Sequence, residues 1–335
     1  MKKTNNFAVI NLISLFMNAL LKKIGLPLLC LAALGLSSCT QSKYSYETVP
    51  NDPLQARIYT LDNGLKVYMT VNKDEPRIQT YIAVRVGGKN DPAETTGLAH
   101  YFEHLMFKGT NHFGTMNYEA EKPLLDQIEQ TFEVYRKTTD EAERKAIYHT
   151  IDSLSYEASK YAIPNEYDKL MAAIGANGTN AYTSFDVTCY TEDIPSNEVE
   201  NWAKIQAERF KNCVIRGFHT ELETVYEEKN MSLTRDARKV YEQTLAALFP
   251  HHPYGTQTVL GTQEDLKNPS ITNIKNYFKT WYVPNNMAIC LSGDFDPDQM
   301  IATIDKYFGD MQPNPNLPKL NLPKETDITA PVVRE

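Results

Sequence analysis

Long apolar runs are missing from the body of this chain. Past residue 38 no stretch of 20 apolar residues occurs, which excludes an internal membrane-spanning helix. Cysteine is scarce. Cys30 and Cys39 fall near the N-terminus, and Cys189, Cys213 and Cys290 are scattered, odd in number and without C-x-x-C spacing. That pattern excludes a disulfide framework and reads as three small apolar side chains. A basic excess is missing too. The formal net charge is −8, and residues 1–38 hold Lys2, Lys3, Lys22 and Lys23 with no acid. Without those four, 30 of the 34 basic residues stand against 42 acidic ones, a net charge of −12. An acidic surface argues against nucleic acid as a partner and against polybasic membrane binding. There is no internal repeat.

What remains is ordinary globular composition, 42% hydrophobic and 23% charged over 335 residues, with room for one large domain or two small ones. The N-terminus is a separate matter. Lys22-Lys23 precede an apolar run from Ile24 to Leu36, which ends in Leu36-Ser37-Ser38-Cys39. Basic region, short apolar region and small residues make a secretory signal over 1–38. Its ending resembles a bacterial lipobox, with cleavage before Cys39 and lipid on its sulfur; Met17 is an alternative start. The lipid, rather than surface charge, is then expected to hold the protein at a membrane, inner or outer, facing periplasm or cell exterior. Residues 39–53 read as a polar tether.

The chain is organised around Gly97-Leu-Ala-His-Tyr-Phe-Glu-His-Leu-Met-Phe107. Leu98, Phe102, Leu105 and Met106 fall at helical spacings, and Thr95, Thr96 and Gly97 offer a start. Residues four apart share a helix face, so His100 and His104 point the same way and are candidates to hold one metal ion. Two neutral imidazoles suit Zn²⁺. Glu103, beside that face, is a candidate proton acceptor for a zinc-bound water. The competing reading is two ordinary polar residues at the rim of a core. The H-x-x-E-H order is the inverzincin signature.

Arg57–Leu61 and Leu65–Val71 flank Asp62-Asn63-Gly64, a hairpin signal, and a third strand follows over 79–86. Residues 119–137 and 140–160 read as two charged helices forming an insertion beside the motif. Ala176–Tyr190 is a strand or a pair of strands. Helices are predicted over 197–210, 219–238, 240–249, 271–281 and 297–308, with a strand over 287–292 and a loop at His251–Gly255. Prolines at 313, 315, 318, 323 and 331 mark a linker over 311–335. The pattern predicts an α+β domain over 54–310: a largely antiparallel sheet with helices packed on one face.

Such a zinc site needs a third protein ligand. Glu221 and Glu228 are seven apart, two helical turns, and share a face with Val225 between them. Spacing does not choose between them. Taken together, His100-Tyr-Phe-Glu-His104, Gly178-Thr-Asn-Ala-Tyr-Thr183, Glu221-Leu-Glu-Thr-Val-Tyr-Glu-Glu228 and His252-Pro-Tyr-Gly255 resemble the catalytic half of the pitrilysin/insulinase family of zinc peptidases. The resemblance spans roughly residues 54–310. It implies one Zn²⁺ per chain on His100, His104 and Glu228, with Glu221 supporting the site and Glu103 as general base. It also implies an extended peptide held along Asn180, Ala181, Tyr182 and Thr183. The gap between His104 and Glu228 is longer than in the family, and the insertion near 119–160 accounts for it. Family members close a half-clamshell with a second, similar domain. This chain is therefore expected to be a truncated product or one subunit of a two-chain enzyme.

The implied activity is zinc-dependent endopeptidase hydrolysis of short or unfolded peptides in the bacterial cell envelope, helped by a second domain or partner subunit. The alternative is a zinc- and peptide-binding subunit with little activity of its own.

Overall fold

Alternation builds the sheet. In Arg77–Val84 every second residue, Ile78, Thr80, Ile82 and Val84, is fully buried, while Gln79, Tyr81 and Ala83 stay half-buried or exposed. A strand with this period sets one face on a core and turns the other away. The computed structural model describes residues 43–331 and 333. The expected signal peptide, Cys39 and the first tether residues lie outside the described residues. The strands are β1 (Tyr46–Thr48), β2 (Arg57–Thr60), β3 (Lys66–Val71), β4 (Arg77–Val84), β5 (Asn177–Thr183), β6 (Thr188–Pro195) and β7 (Met287–Gly293). They form one sheet in the order β1-β2-β3-β7-β4-β6-β5. Every pairing is antiparallel except β3 with β7. The last strand in sequence is therefore central, with Tyr68 and Tyr81 both opposite Cys290.

Around it lie α1 (Leu98–Leu105), α2 (Tyr118–Tyr135), α3 (Glu141–Ser159), α4 (Glu166–Ala173), α5 (Val199–Asn212), α6 (Phe218–Leu233), α7 (Asp236–Leu248), α8 (Ile271–Trp281) and α9 (Pro297–Phe308). The result is an α+β half-clamshell domain, a largely antiparallel sheet with helices on one face. Between sheet and helices the core holds Val67, Ile82, Phe102, Trp202, Phe210, Ile289 and Ile304, all at most 1% exposed. No helix among the described residues is long and apolar enough to cross a membrane.

Four local readings are corrected. Residues 46–48, taken as tether, are the edge strand β1, with Tyr46 opposite Tyr59 and the Arg57 guanidinium 4.8 Å from the Tyr46 ring centre. Three residues are too few to show a period. Helix α4 was not foreseen. The helix expected over 219–238 breaks after Leu233: Arg235 is extended (φ −94°, ψ 115°) and α7 restarts at Asp236. The loop at 251–255 contains a one-turn helix, Pro253–Thr256. The described residues of the proline-rich segment hold no helix or strand, yet the segment touches the body: Glu325 accepts from the amides of His251 and His252, each at 2.7 Å.

Two buried pairs lock the layers. Arg216 meets Glu121 of α2 at 2.6 and 2.8 Å and donates to the carbonyls of Lys108 and Thr110. It thereby ties the exit of α1 to the α2–α3 hairpin. Deeper in, Glu192 accepts from Tyr167, Thr80, Gln206 and Trp202. The Arg209 guanidinium sits over Tyr167 and Tyr190, 4.4 and 4.7 Å from their ring centres. A buried cation without hydrogen bonds is tolerable when rings and a carboxylate surround it.

Candidate metal centre

Helix α1 is short, so its start fixes everything on it. The Asp91 carboxylate accepts from the amides of Gly97 (2.8 Å) and Ala99 (3.0 Å), filling donors that a helix N-terminus leaves open. Thr95 and Thr96 do not cap it; the Thr96 hydroxyl instead donates to Asp265 and accepts from the Thr262 amide. Gly97 adopts φ +84°, and a Cβ there would come within 2.8 Å of Gly261 Cα, so glycine is required on both counts. At its other side the Tyr101 hydroxyl donates to the Phe218 carbonyl, and the two rings sit 5.0 Å apart. This joins α1 to the first turn of α6.

That join sets the acids of α6 against the histidines of α1. His100 Nε2 and His104 Nε2 lie 3.7 and 3.6 Å from the same oxygen, Oε2 of Glu228. These separations exceed a hydrogen bond, and the three ligand atoms all lie within 4.8 Å of one another. Two nitrogens and a carboxylate oxygen so arranged fit one tetrahedral zinc with a position left open. Glu221, from the same face of α6, accepts from His104 Nδ1 at 2.8 Å, and Lys108 pairs with its other oxygen at 2.5 Å. A proton held on Nδ1 leaves the Nε2 lone pair for a metal.

Burial drives most of the electrostatics. His100, 8% exposed, is lowered to about 3 by desolvation, with His104 and Arg238 adding to it, and is neutral at physiological pH. Burial also works to lower His104, but the hydrogen bond and charge of Glu221, with Glu103 and Glu228, outweigh it and raise it. Glu221 is pulled below the ordinary carboxylate range: His104 and Lys108 overcome the desolvation that opposes them. Desolvation raises Glu103, assisted by Glu228 and opposed by Thr183 and His104. A carboxylate raised in this way is a stronger base.

The Thr183 hydroxyl donates to Glu103 Oε2 at 2.5 Å. Thr183 ends β5, and among the described residues β5 pairs with β6 alone, which leaves its outer edge unpaired there. Asn180, Ala181, Tyr182 and Thr183 line a cleft of about 950 Å³ that also holds His100, Glu103, His104, Glu221 and Glu228. Tyr254 fixes the turn beyond β5: its hydroxyl donates to Asp186 at 2.7 Å and its ring lies 5.1 Å from Phe185. Cys189, Cys213 and Cys290 form no disulfide; burial pushes Cys213 up to about 12 and Cys290 to about 11.

Sequence reasoning missed Asp91, Lys108 and Tyr254 as supports. Lys108 stands four residues after His104, a spacing that carried a signal. Asp91 and Tyr254 act across tertiary contacts that no spacing shows.

Residues 66–125 match the sequence model described as Insulinase (Peptidase family M16), and residues 270–335 match that of the Peptidase M16 inactive domain. Both matched segments are similar to the insulinase family, peptidase family M16. It is 25% identical over 255 residues to a zinc protease of Mycobacterium leprae, covering 75% of this chain and 45% of the relative. Against the insulin-degrading enzyme of Mus musculus it is 23% identical over 287 residues, covering 82% and 23%. The fold is that of a Helicobacter pylori protease (TM-score 0.59, 21% identity, 84% of this chain and 53% of that one). It is also that of the first half of the periplasmic protease PqqL of Escherichia coli (TM-score 0.62, 16% identity, 84% and 51%). The chain spans about half the length of the zinc protease it matches. The second family match starts at the N-cap of α8 and includes β7, a central strand of the sheet.

The Glu221–His104 contact generates a test. Glu221→Gln should weaken zinc binding about 10- to 100-fold, the usual effect of removing an orienting partner. Competition with a chromophoric chelator measures it; unchanged affinity would show that Glu221 does not set the imidazole.

Proposed function

We propose that this chain is the zinc-binding half of an endopeptidase that hydrolyses short or unfolded peptides. The observation that carries the proposal is the meeting in one cleft of His100, His104 and Glu228 with Glu103 and the free edge of β5. One zinc ion on His100, His104 and Glu228 would supply Lewis acidity, acidifying a water and polarising the scissile carbonyl. Glu103 takes the proton of that water and returns it to the leaving amine. Thr183 holds Glu103 in place, and Glu221 with Lys108 holds His104. The substrate adds as a strand to β5 along Asn180, Ala181, Tyr182 and Thr183, and its backbone makes most of the contacts. An extended segment can reach that edge; a folded chain presents few.

Two further parts of the proposal concern the whole protein. The relatives' greater length supports a second, homologous domain or partner subunit that closes the cleft, excludes water and orients the peptide. The lipobox supports attachment of the mature chain to an envelope membrane through lipid on Cys39, and the likeness to a periplasmic protease points to the same compartment. A binding module with little turnover is the other reading of a half-clamshell.

Three experiments separate these claims. Glu228→Gln should lose most of the zinc, whereas Glu103→Gln should keep zinc and lose about 10²- to 10⁴-fold in kcat. Loss of zinc from Glu103→Gln would overturn the division between ligand and base. Native chain should partition into detergent, and Cys39→Ser should not; equal partitioning removes the anchor. Supplying a second domain in cis or in trans should raise kcat/KM by orders of magnitude at constant zinc content. Full activity from residues 39–335 as a monomer would show that no partner is needed.

A further inference from the structure

The proline-rich segment reads as a linker in sequence, yet it is pinned to the body at two points. The Asn314 amide donates to Asn285 Oδ1 at 3.0 Å, and Asn314 Nδ2 donates to the Thr280 carbonyl at 3.1 Å. Further along, Oε1 of Glu325 accepts from both the His251 and the His252 amides, and its Oε2 lies 3.1 Å from His251 Nδ1. The Glu325 side chain is only 14% exposed. Pro315, Pro318 and Pro323 lie between the two anchors. Proline fixes φ, so this stretch loses little freedom when it is pinned.

The second anchor leads to the cleft through successive hydrogen bonds. His252 Nδ1 accepts from the Tyr254 amide at 3.1 Å, and the His252 carbonyl accepts from the amides of Gly255 and Thr256, which closes the turn Pro253–Thr256. The Tyr254 hydroxyl donates to Asp186, whose other oxygen pairs with Lys89. Asp186 lies in the turn between β5 and β6, where the carbonyls of Ser184 and Phe185 accept from the amides of Gly88 and Lys89. Ser184 and Phe185 line the cleft. We propose that Glu325 is a positioning residue. Through His252 and Tyr254 it sets the turn that ends β5, and with it the grip of that strand on an extended peptide. This rests on the reading of β5 as the peptide-binding edge. Among the described residues the hydrogen bonds of Glu325 go to His251 and His252, and none goes to His100, Glu103, His104 or Glu228. The strap therefore acts on peptide binding and leaves the metal centre alone.

The test uses the full chain, loaded with zinc and carrying Glu103→Gln so that nothing is cleaved. A fluorescein-labelled unfolded peptide from casein reports binding by anisotropy, and hydrogen exchange reports the turn. Glu325→Ala should weaken the peptide about 3- to 10-fold, the effect of one net hydrogen bond, and leave zinc affinity unchanged. Glu325→Gln keeps an acceptor at Oε1 for both amides and should restore binding. Tyr254→Phe cuts the next link and should weaken binding by a similar factor, and the double variant Glu325→Ala with Tyr254→Phe by no more than either alone. Exchange at the Gly88 and Lys89 amides, which bond to the turn, should quicken in Glu325→Ala. Exchange that quickens at His251 and His252 only, or losses that multiply in the double variant, would overturn the proposal. If the parent protein binds no peptide, the reading of β5 falls, and the exchange at Gly88 and Lys89 alone decides whether Glu325 sets the turn.

Discussion

Everything in the cleft depends on where α1 begins. His100 is its third residue, and a shift of one residue would turn each side chain by roughly 100°. Asp91 prevents that shift by holding the amides of Gly97 and Ala99. A side-chain cap at a helix start contributes about 1 kcal/mol. Here the carboxylate is buried, so its loss would also leave two amides without partners. The close approach of Gly97 to Gly261 adds a steric stop from the other side. Cap and stop together define one register for the two histidines.

A register on α1 is useless unless α6 is fixed against it. The Tyr101–Phe218 contact does this locally, and the Arg216–Glu121 pair does it through the hairpin. Breaking a buried pair by removing one partner costs about 3–5 kcal/mol, because the other charge is stranded. The α2–α3 hairpin is thus more than a surface feature: Glu121 lies in α2, and Phe132 of the same helix packs on Phe218 with ring centres 4.9 Å apart. The hairpin that lies between His104 and Glu228 in sequence also braces the helix that carries Glu228.

What the sequence made legible was local. Spacing of four put His100 and His104 on one face, spacing of seven did the same for Glu221 and Glu228, and Asn63-Gly64 marked the β2–β3 turn. These patterns depend only on the period of helix or strand. What it did not show was set by contacts between distant residues. Nothing in Met287–Gly293 reveals that this strand enters the middle of the sheet parallel to β3, some 200 residues away in sequence. Nor does Thr183 announce that its hydroxyl reaches Glu103, or Glu221 that it takes Nδ1 of His104 while Glu228 faces both Nε2 atoms. The helix break after Leu233 is equally silent, since Thr234 and Arg235 are both tolerated in helices.

The charge balance of the cleft explains why these particular neighbours are needed. Glu103, Glu221 and Glu228 converge on two imidazoles, and Lys108 offsets one of the three through Glu221. Arg238 does not offset a second, because it is engaged by Glu242 at 2.8 Å. Burial keeps His100 uncharged, so it adds no positive charge of its own. Two carboxylates, Glu103 and Glu228, are then left facing the imidazoles of His100 and His104. At the proposed site a dication would match that surplus, while Thr183 holds Glu103. In the proposed mechanism, the hydroxyl that holds Glu103 is what separates the acid that would bind from the acid that would move a proton, although both line the same cleft.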